Sequence, residues 1–176
     1  MPARIAPARA PWSPEVARRF ETLPPIQLFR VLARDERLFQ RFMGGGLLDR
    51  GHLSLREREL AILTVCARNG SDYEWGVHVG LLADRAGLTP EEVAATAAPF
   101  EAAGWTGEDA LIVRLCDALQ ASCEVDDGLW AELRGAFEEM AILELLMLVG
   151  KYREVCILTN ALRLDLEDGM PVIPRG

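Results

Sequence analysis

The chain has 176 residues, half of them hydrophobic, which is enough to bury a substantial core within one domain. Its formal net charge of -8 and the lack of any local run of Lys and Arg offer no attractive field to a phosphate backbone or an anionic surface. Neither nucleic acid nor a membrane is therefore expected as a partner.

In chain order, Met1 to Pro14 carries Arg4 and Arg9 among Ala and Pro. It lacks the continuous apolar centre and small-residue cleavage pattern of a secretory signal. Residues 1–19 are read as a flexible arm on a cytoplasmic protein and residues 20–170 as the folded domain. Phe20 to Phe42 predicts one or two helices broken near Pro24-Pro25, and Gly44-Gly45-Gly46 forces a loop before Leu53. Ser54-x-x-Glu57 is a capping box opening a helix that Asn69-Gly70 closes. The next helix runs from Ser71 or Asp72 to Ala86, with Gly87 as its C-terminal cap. Thr89-Pro90-Glu91-Glu92 repeats the start signal for a short helix. Thr106-Gly107-Glu108-Asp109 opens a helix to about Ser122, and Asp126 caps one through Ala136. A long last helix covers Glu138 to Leu164. No period-2 strand pattern occurs, so the protein reads as all-α.

The last helix is apolar nearly all round between Ala141 and Val149, which predicts contact on more than one side and hence an oligomer. Its apolar run from Met140 to Gly150 is bounded or interrupted by Glu139, Glu144 and Lys151. It falls short of the roughly 18 residues of a membrane span.

Helical geometry places ionisable groups on faces built for burial. At about 100° per residue, Leu55, Glu59, Ile62 and Cys66 fall within roughly 40° of one another. Ser71, Glu74 and His78 fall within about 60° on the next helix, and Leu81 continues their stripe. Burial raises a carboxylate pKa and a neighbouring carboxylate raises that of an imidazole, so acid–base chemistry near neutral pH is available to such a set. The plain structural alternative is that Glu74 and His78 form an i,i+4 pair on a solvated face. Glu59 would then pair with an arginine such as Arg56 or Arg153. His52 precedes the capping box in a surface loop. Arg58 suits an internal salt bridge and a substrate contact equally.

The four cysteines, Cys66, Cys116, Cys123 and Cys156, sit in apolar helical patterns without a C-x-x-C or a zinc spacing, and are read as core thiols. His78 with two carboxylates is too sparse a set to indicate a metal. The Gly44 to Gly46 run lies between helices rather than after a strand, so no nucleotide cofactor is indicated. No cofactor is expected.

The run Leu53-Ser54-x-x-x-Arg58-Glu59-Leu60, then Tyr73-Glu74-Trp75-Gly76-Val77-His78 and Ala86-Gly87-Leu88-Thr89-Pro90-Glu91-Glu92-Val93, resembles the carboxymuconolactone decarboxylase family, which includes alkyl hydroperoxidase D-like proteins. Val149-Gly150-Lys151-Tyr152 through Asn160-Ala161-Leu162 resembles the family's closing helix. The resemblance spans residues 20–167. It implies an alkyl hydroperoxidase D-like helical bundle, assembly into trimers or hexamers, and a site around Glu59, Glu74 and His78. In the hydroperoxidase branch a C-x-x-C precedes the histidine, and here the matching positions are Ser71 and Glu74. Neither supplies sulfur, so the usual dithiol cycle has no attacking or resolving thiol.

The decarboxylase branch carries a Glu four residues before the His, a spacing this sequence keeps. Loss of carbon dioxide would leave an enolate to be stabilised and protonated on carbon. His78 is the candidate proton donor, Glu74 would hold the imidazole, and Glu59 would orient or reprotonate the pair. Ser71, Tyr73 and Trp75 are candidate substrate contacts, although Tyr73 and Trp75 fit equally as packing residues. The expected partner is a small carboxylated lactone or keto acid. Two other classes remain open: a thiol peroxidase, which needs Cys66 or another Cys on the cavity, and a non-catalytic oligomer that binds a small molecule.

Overall fold

The computed structural model describes residues 3–47 and 49–175. Among these residues the regular structure is helical throughout, so the all-α expectation holds. The helices are α1 (Pro14–Phe20), α2 (Gln27–Leu32), α3 (Glu36–Gly44), α4 (Leu55–Arg68), α5 (Asp72–His78), α6 (Pro90–Ala95), α7 (Phe100–Ala103), α8 (Gly107–Ser122), α9 (Asp127–Ala136) and α10 (Glu139–Leu162). A π-helical turn, Val79–Ala83, continues α5.

Local chemistry accounts for most boundaries. Ser54 opens α4 through a reciprocal box, with Glu57 N–H donating to Ser54 Oγ at 3.2 Å and Ser54 N–H to Glu57 Oε2 at 2.6 Å. Thr89 and Glu92 repeat that arrangement at α6. Gly87 follows the π turn at φ +70°, a left-handed conformation that glycine enters without steric cost. The Phe20 to Phe42 stretch divides twice. After the Pro24-Pro25 break, Asp35 accepts from Leu38 N–H at 2.9 Å and starts α3 separately from α2.

Helix α4 is the centre of the fold. All eight residues from Glu59 to Cys66 are buried, because α5, α8 and α10 surround it. Helix α10 presents Ile142, Leu145, Leu148, Tyr152 and Val155 inward. Its opposite stripe of Met140, Leu143, Met147 and Ile157 is 46–61% exposed. No helix among the described residues is long and apolar enough to cross a membrane.

The expected flexible arm needs correction. Residues 3–20 are docked: Arg4 N–H donates to Leu162 O at 2.8 Å and Ala8 N–H to Arg30 O at 3.0 Å. Val16 of α1 is buried, and Trp12, Phe20 and Phe39 stack edge to face at 5.1 and 5.7 Å. Aromatic packing over α3 and isolated backbone hydrogen bonds to carbonyls of α2 and α10 supply the stabilisation that the Pro- and Ala-rich composition conceals. Met1 and Pro2, the first two residues of that expected arm, lie outside the described residues.

The C-terminal segment also binds the body. It runs back along α5, where Ile173 N–H donates to Asp72 Oδ1 at 3.1 Å and Arg175 pairs with Asp72. Gly76 and Gly80 admit it, because a Cβ at either position would overlap the Pro171 carbonyl oxygen or the Met170 sulfur. The folded unit therefore extends past residue 170.

Candidate active site

Helices α4 and α5 leave their shared turn at Asn69–Gly70 and pack against each other, which brings Glu59 of one onto His78 of the other. Glu59 Oε2 lies 2.6 Å from His78 Nδ1, and both side chains are buried. Glu59 Oε1 lies 3.4 Å from Arg58 Nε, so this carboxylate has cationic partners on both oxygens. An isolated buried carboxylate costs several kcal/mol or more, and only such pairing makes the position tolerable.

On the other side of the ring, His78 Nε2 is 3.4 Å from Glu74 Oε1, an ion contact too long for a tight hydrogen bond. Glu74 Oε2 is buried and has no hydrogen-bond partner among the described residues. Burial by itself pushes the imidazole pKa down, and hydrogen bonds and charge from Glu59 and then Glu74 more than reverse it, raising His78 to about 9. His78 is therefore an imidazolium at neutral pH. Its Nδ1–H is held by Glu59, and its Nε2–H faces Glu74.

The structure brings those three residues together, with the two glutamates on opposite nitrogens of the ring. Glu59 makes the short bond that orients the imidazole, whereas Glu74 lines a cavity that Glu59 does not reach. The reason is helix packing: Glu74 precedes His78 by one turn on the same cavity-facing edge of α5, while Glu59 comes from the enclosed α4.

The cavity has a volume of about 470 Å³. Glu74, His78 and Tyr152 form its polar part, and Phe29, Phe42, Leu55, Val77, Leu81 and Leu82 much of its apolar wall. The α1–α2 link contributes Leu23, Pro24 and Ile26. The π turn adds a residue per turn directly after His78, and both Leu81 and Leu82 reach the cavity; such insertions recur at functional sites. Arg58, Arg85 and Lys151 supply positive charge around it. Lys151 Nζ sits 3.9 Å over the Phe42 ring and 3.1 Å from Glu154, while Arg85 has no acidic partner among the described residues.

The three expected substrate contacts lie elsewhere, each engaged inside the fold. Ser71 Oγ hydrogen-bonds Thr159 Oγ1 at 2.8 Å and caps α5. Tyr73 donates to Glu167 Oε1 at 2.6 Å and accepts from Leu28 N–H at 3.1 Å. Trp75 Nε1–H donates to Thr96 Oγ1 at 3.1 Å. Their directions around α5 turn them towards α10, the C-terminal segment and α6, away from the edge that carries Glu74 and His78.

Cys66 is fully buried and does not line the cavity. Its sulfur lies 3.9 Å from that of Cys156, and burial, followed by Cys156 and the nearby Glu74 and Glu59 charges, pushes its pKa well up. Cys116 is likewise buried, whereas Cys123 is exposed, a departure from the core reading. Cys123 terminates α8 in a left-handed conformation, one residue beyond the amphipathic pattern that suggested burial. Among the described residues no group of three or more His, Cys, Asp or Glu is arranged to hold a metal ion.

Sequence reasoning missed Tyr152, Lys151 and Arg85 as cavity residues. Tyr152 is buried with its ring edge-on to His78, centroids 5.1 Å apart. Its place in an apolar helix carried no sign of this, since only the packing of α10 on α5 brings it there.

The family profile described as "Carboxymuconolactone decarboxylase family" matches residues 36–113, a segment that contains Glu59, Glu74 and His78. No curated protein matches the chain. Among solved structures, an uncharacterized peroxidase-related protein from Silicibacter sp. TM1040 superposes with a TM-score of 0.81 at 16% identity, covering 96% of this chain and 95% of that one. A second, described as an alkylhydroperoxidase AhpD core and uncharacterized peroxidase-related protein from Ralstonia eutropha JMP134, gives 0.78 at 17% identity with 93% of each chain covered. At these identities the likeness concerns the fold. Residues 36–113 thus match the carboxymuconolactone decarboxylase family model, and the chain as a whole has the alkyl hydroperoxidase D-like helical fold.

Proposed function

We propose that the protein is an acid–base enzyme that transfers a proton to or from carbon on a small carboxylated lactone or keto acid, most simply in a decarboxylation. The observation that carries this reading is the imidazolium of His78, held at Nδ1 by Glu59 and flanked at Nε2 by Glu74 on a largely apolar cavity. In a decarboxylation the C–C bonding pair passes into the neighbouring carbonyl as an enolate. The Nε2 proton of His78 is then delivered to carbon, and Glu74 passes a solvent proton back to the imidazole. Arg58, Arg85 and Lys151 support an anionic substrate, and the apolar wall favours release of neutral carbon dioxide from a poorly solvated carboxylate.

A thiol peroxidase is the competing reading, because the structural neighbours are described as peroxidase-related. Against it stand the burial of Cys66, its raised pKa and its absence from the cavity lining. The outward apolar stripe of α10 supports self-association of the chain. The test is carbon dioxide release from a panel of carboxylated lactones and β-keto acids, with hydroperoxide consumption measured in parallel. Release that falls at least 100-fold in His78→Ala supports the reading; hydroperoxide turnover that depends on Cys66, with no release from any compound, replaces it.

A further inference from the structure

The chain contains two tyrosines, and the fold treats their hydroxyls differently. Tyr73 is bonded twice, donating to Glu167 and accepting from Leu28. Tyr152 is only 4% exposed and lines the cavity, yet its hydroxyl has no hydrogen-bond partner among the described residues. The phenol oxygen is not among the fully enclosed unpartnered atoms, so the hydroxyl opens on the cavity, where a bound molecule can accept from it. Glu74 also lines the cavity, and its Oε2 is enclosed and unpartnered. The Tyr152 ring packs edge-on against the His78 imidazole, centroids 5.1 Å apart.

We propose that Tyr152 is a catalytic residue whose hydroxyl donates to the developing enolate oxygen of an enolisable carbonyl substrate. An enolisable carbonyl matches the hydroxyl because its oxygen is an acceptor both as ketone and as enolate. This rests on the acid–base reading above and adds the oxyanion-stabilising group that reading lacks. In a β-keto acid the bond to the carboxylate breaks, its electron pair forms the enolate, and carbon dioxide leaves. Tyr152 holds the oxygen without giving up its proton, and the proton from His78 Nε2 forms the new C–H bond. Burial, then the charges of Glu74 and Glu59, push the Tyr152 pKa well up, so the phenol remains a donor throughout.

Tyr152→Phe removes the hydroxyl and keeps the ring on His78. The probe is 4-nitrophenol, an enolate surrogate whose visible spectrum separates phenol from phenolate. The wild type is expected to bind the phenolate, and Tyr152→Phe to bind it at least tenfold more weakly, as loss of one hydrogen bond to a charged oxygen requires. The variant is also expected to unfold at a temperature no lower than the wild type, because an unpartnered hydroxyl contributes no internal bond. No phenolate binding by the wild type, equal binding by the variant, or clear destabilisation of the variant each overturns the assignment. Carbon dioxide release that is unchanged in Tyr152→Phe sinks it while leaving the acid–base reading intact. Absence of release from every compound, with phenolate binding still dependent on Tyr152, has the opposite meaning.

Discussion

Replacing Glu59 by Gln keeps the side-chain volume and removes one charge from a position where both oxygens are engaged, with His78 at 2.6 Å and Arg58 at 3.4 Å. In the wild type, burial opposes the imidazolium and Glu59, ahead of Glu74, raises His78 from 6.5 to about 9. The resulting stabilisation is fully present below about pH 6.5 and is lost as pH rises through about 9. At about 1.4 kcal/mol per pKa unit it amounts to roughly 3 kcal/mol. In Glu59→Gln the burial remains and the leading partner is gone, so His78 is expected to titrate at or below 6.5. The variant should be less stable than the wild type by roughly 2–3 kcal/mol at pH 6, or about 5–10 °C in Tm for a chain of this size. The difference should shrink above pH 9.5. Thermal unfolding followed by circular dichroism at both pH values measures the difference, and NMR titration of the imidazoles measures the cause. The chain has two histidines, and the exposed His52 serves as the internal control. A His78 that still titrates near 9 in the variant, or a stability difference that stays constant with pH, would refute the pairing argument.

Three further outcomes follow from the same packing. Gly76→Ala should destabilise the protein by about 1–3 kcal/mol and expose the C-terminal segment to limited proteolysis, because the new methyl displaces the Pro171 carbonyl. Urea unfolding together with a protease time course checks this. Tyr73→Phe should cost about 1–3 kcal/mol, since it frees a buried Leu28 N–H and the Glu167 carboxylate, while carbon dioxide release stays at the wild-type level. Altered release at unchanged stability would restore Tyr73 to the substrate contacts. Native protein should react with a thiol reagent at Cys123 alone, and all four thiols should become reactive in denaturant. Rapid native labelling of Cys66 would reopen the thiol chemistry.

Much of the helical layout was determined locally and is therefore legible in the sequence. Capping boxes at Ser54 and Thr89, and glycine at the left-handed Gly87, act within one turn of chain, so residue type and spacing set these boundaries. The convergence of Glu59, Glu74 and His78 was also legible, because a carboxylate on an apolar helix face has to meet a partner from the adjoining helix. Helix α1 was overlooked although Ser13 caps it and Pro14 opens it, while its docking depends on Trp12 and Phe39, residues beyond its own span. The division of labour between the two glutamates depended on which helix is enclosed and which borders the cavity. Periodicity gives the direction a side chain leaves its helix but not what packs there. For the same reason Ser71, Tyr73 and Trp75 could be placed on α5 but not assigned their partners on α10, the C-terminal segment and α6. Tyr152 joins His78 across 74 positions of chain, and only the docking of α10 on α5 puts an unbonded phenol beside the imidazole.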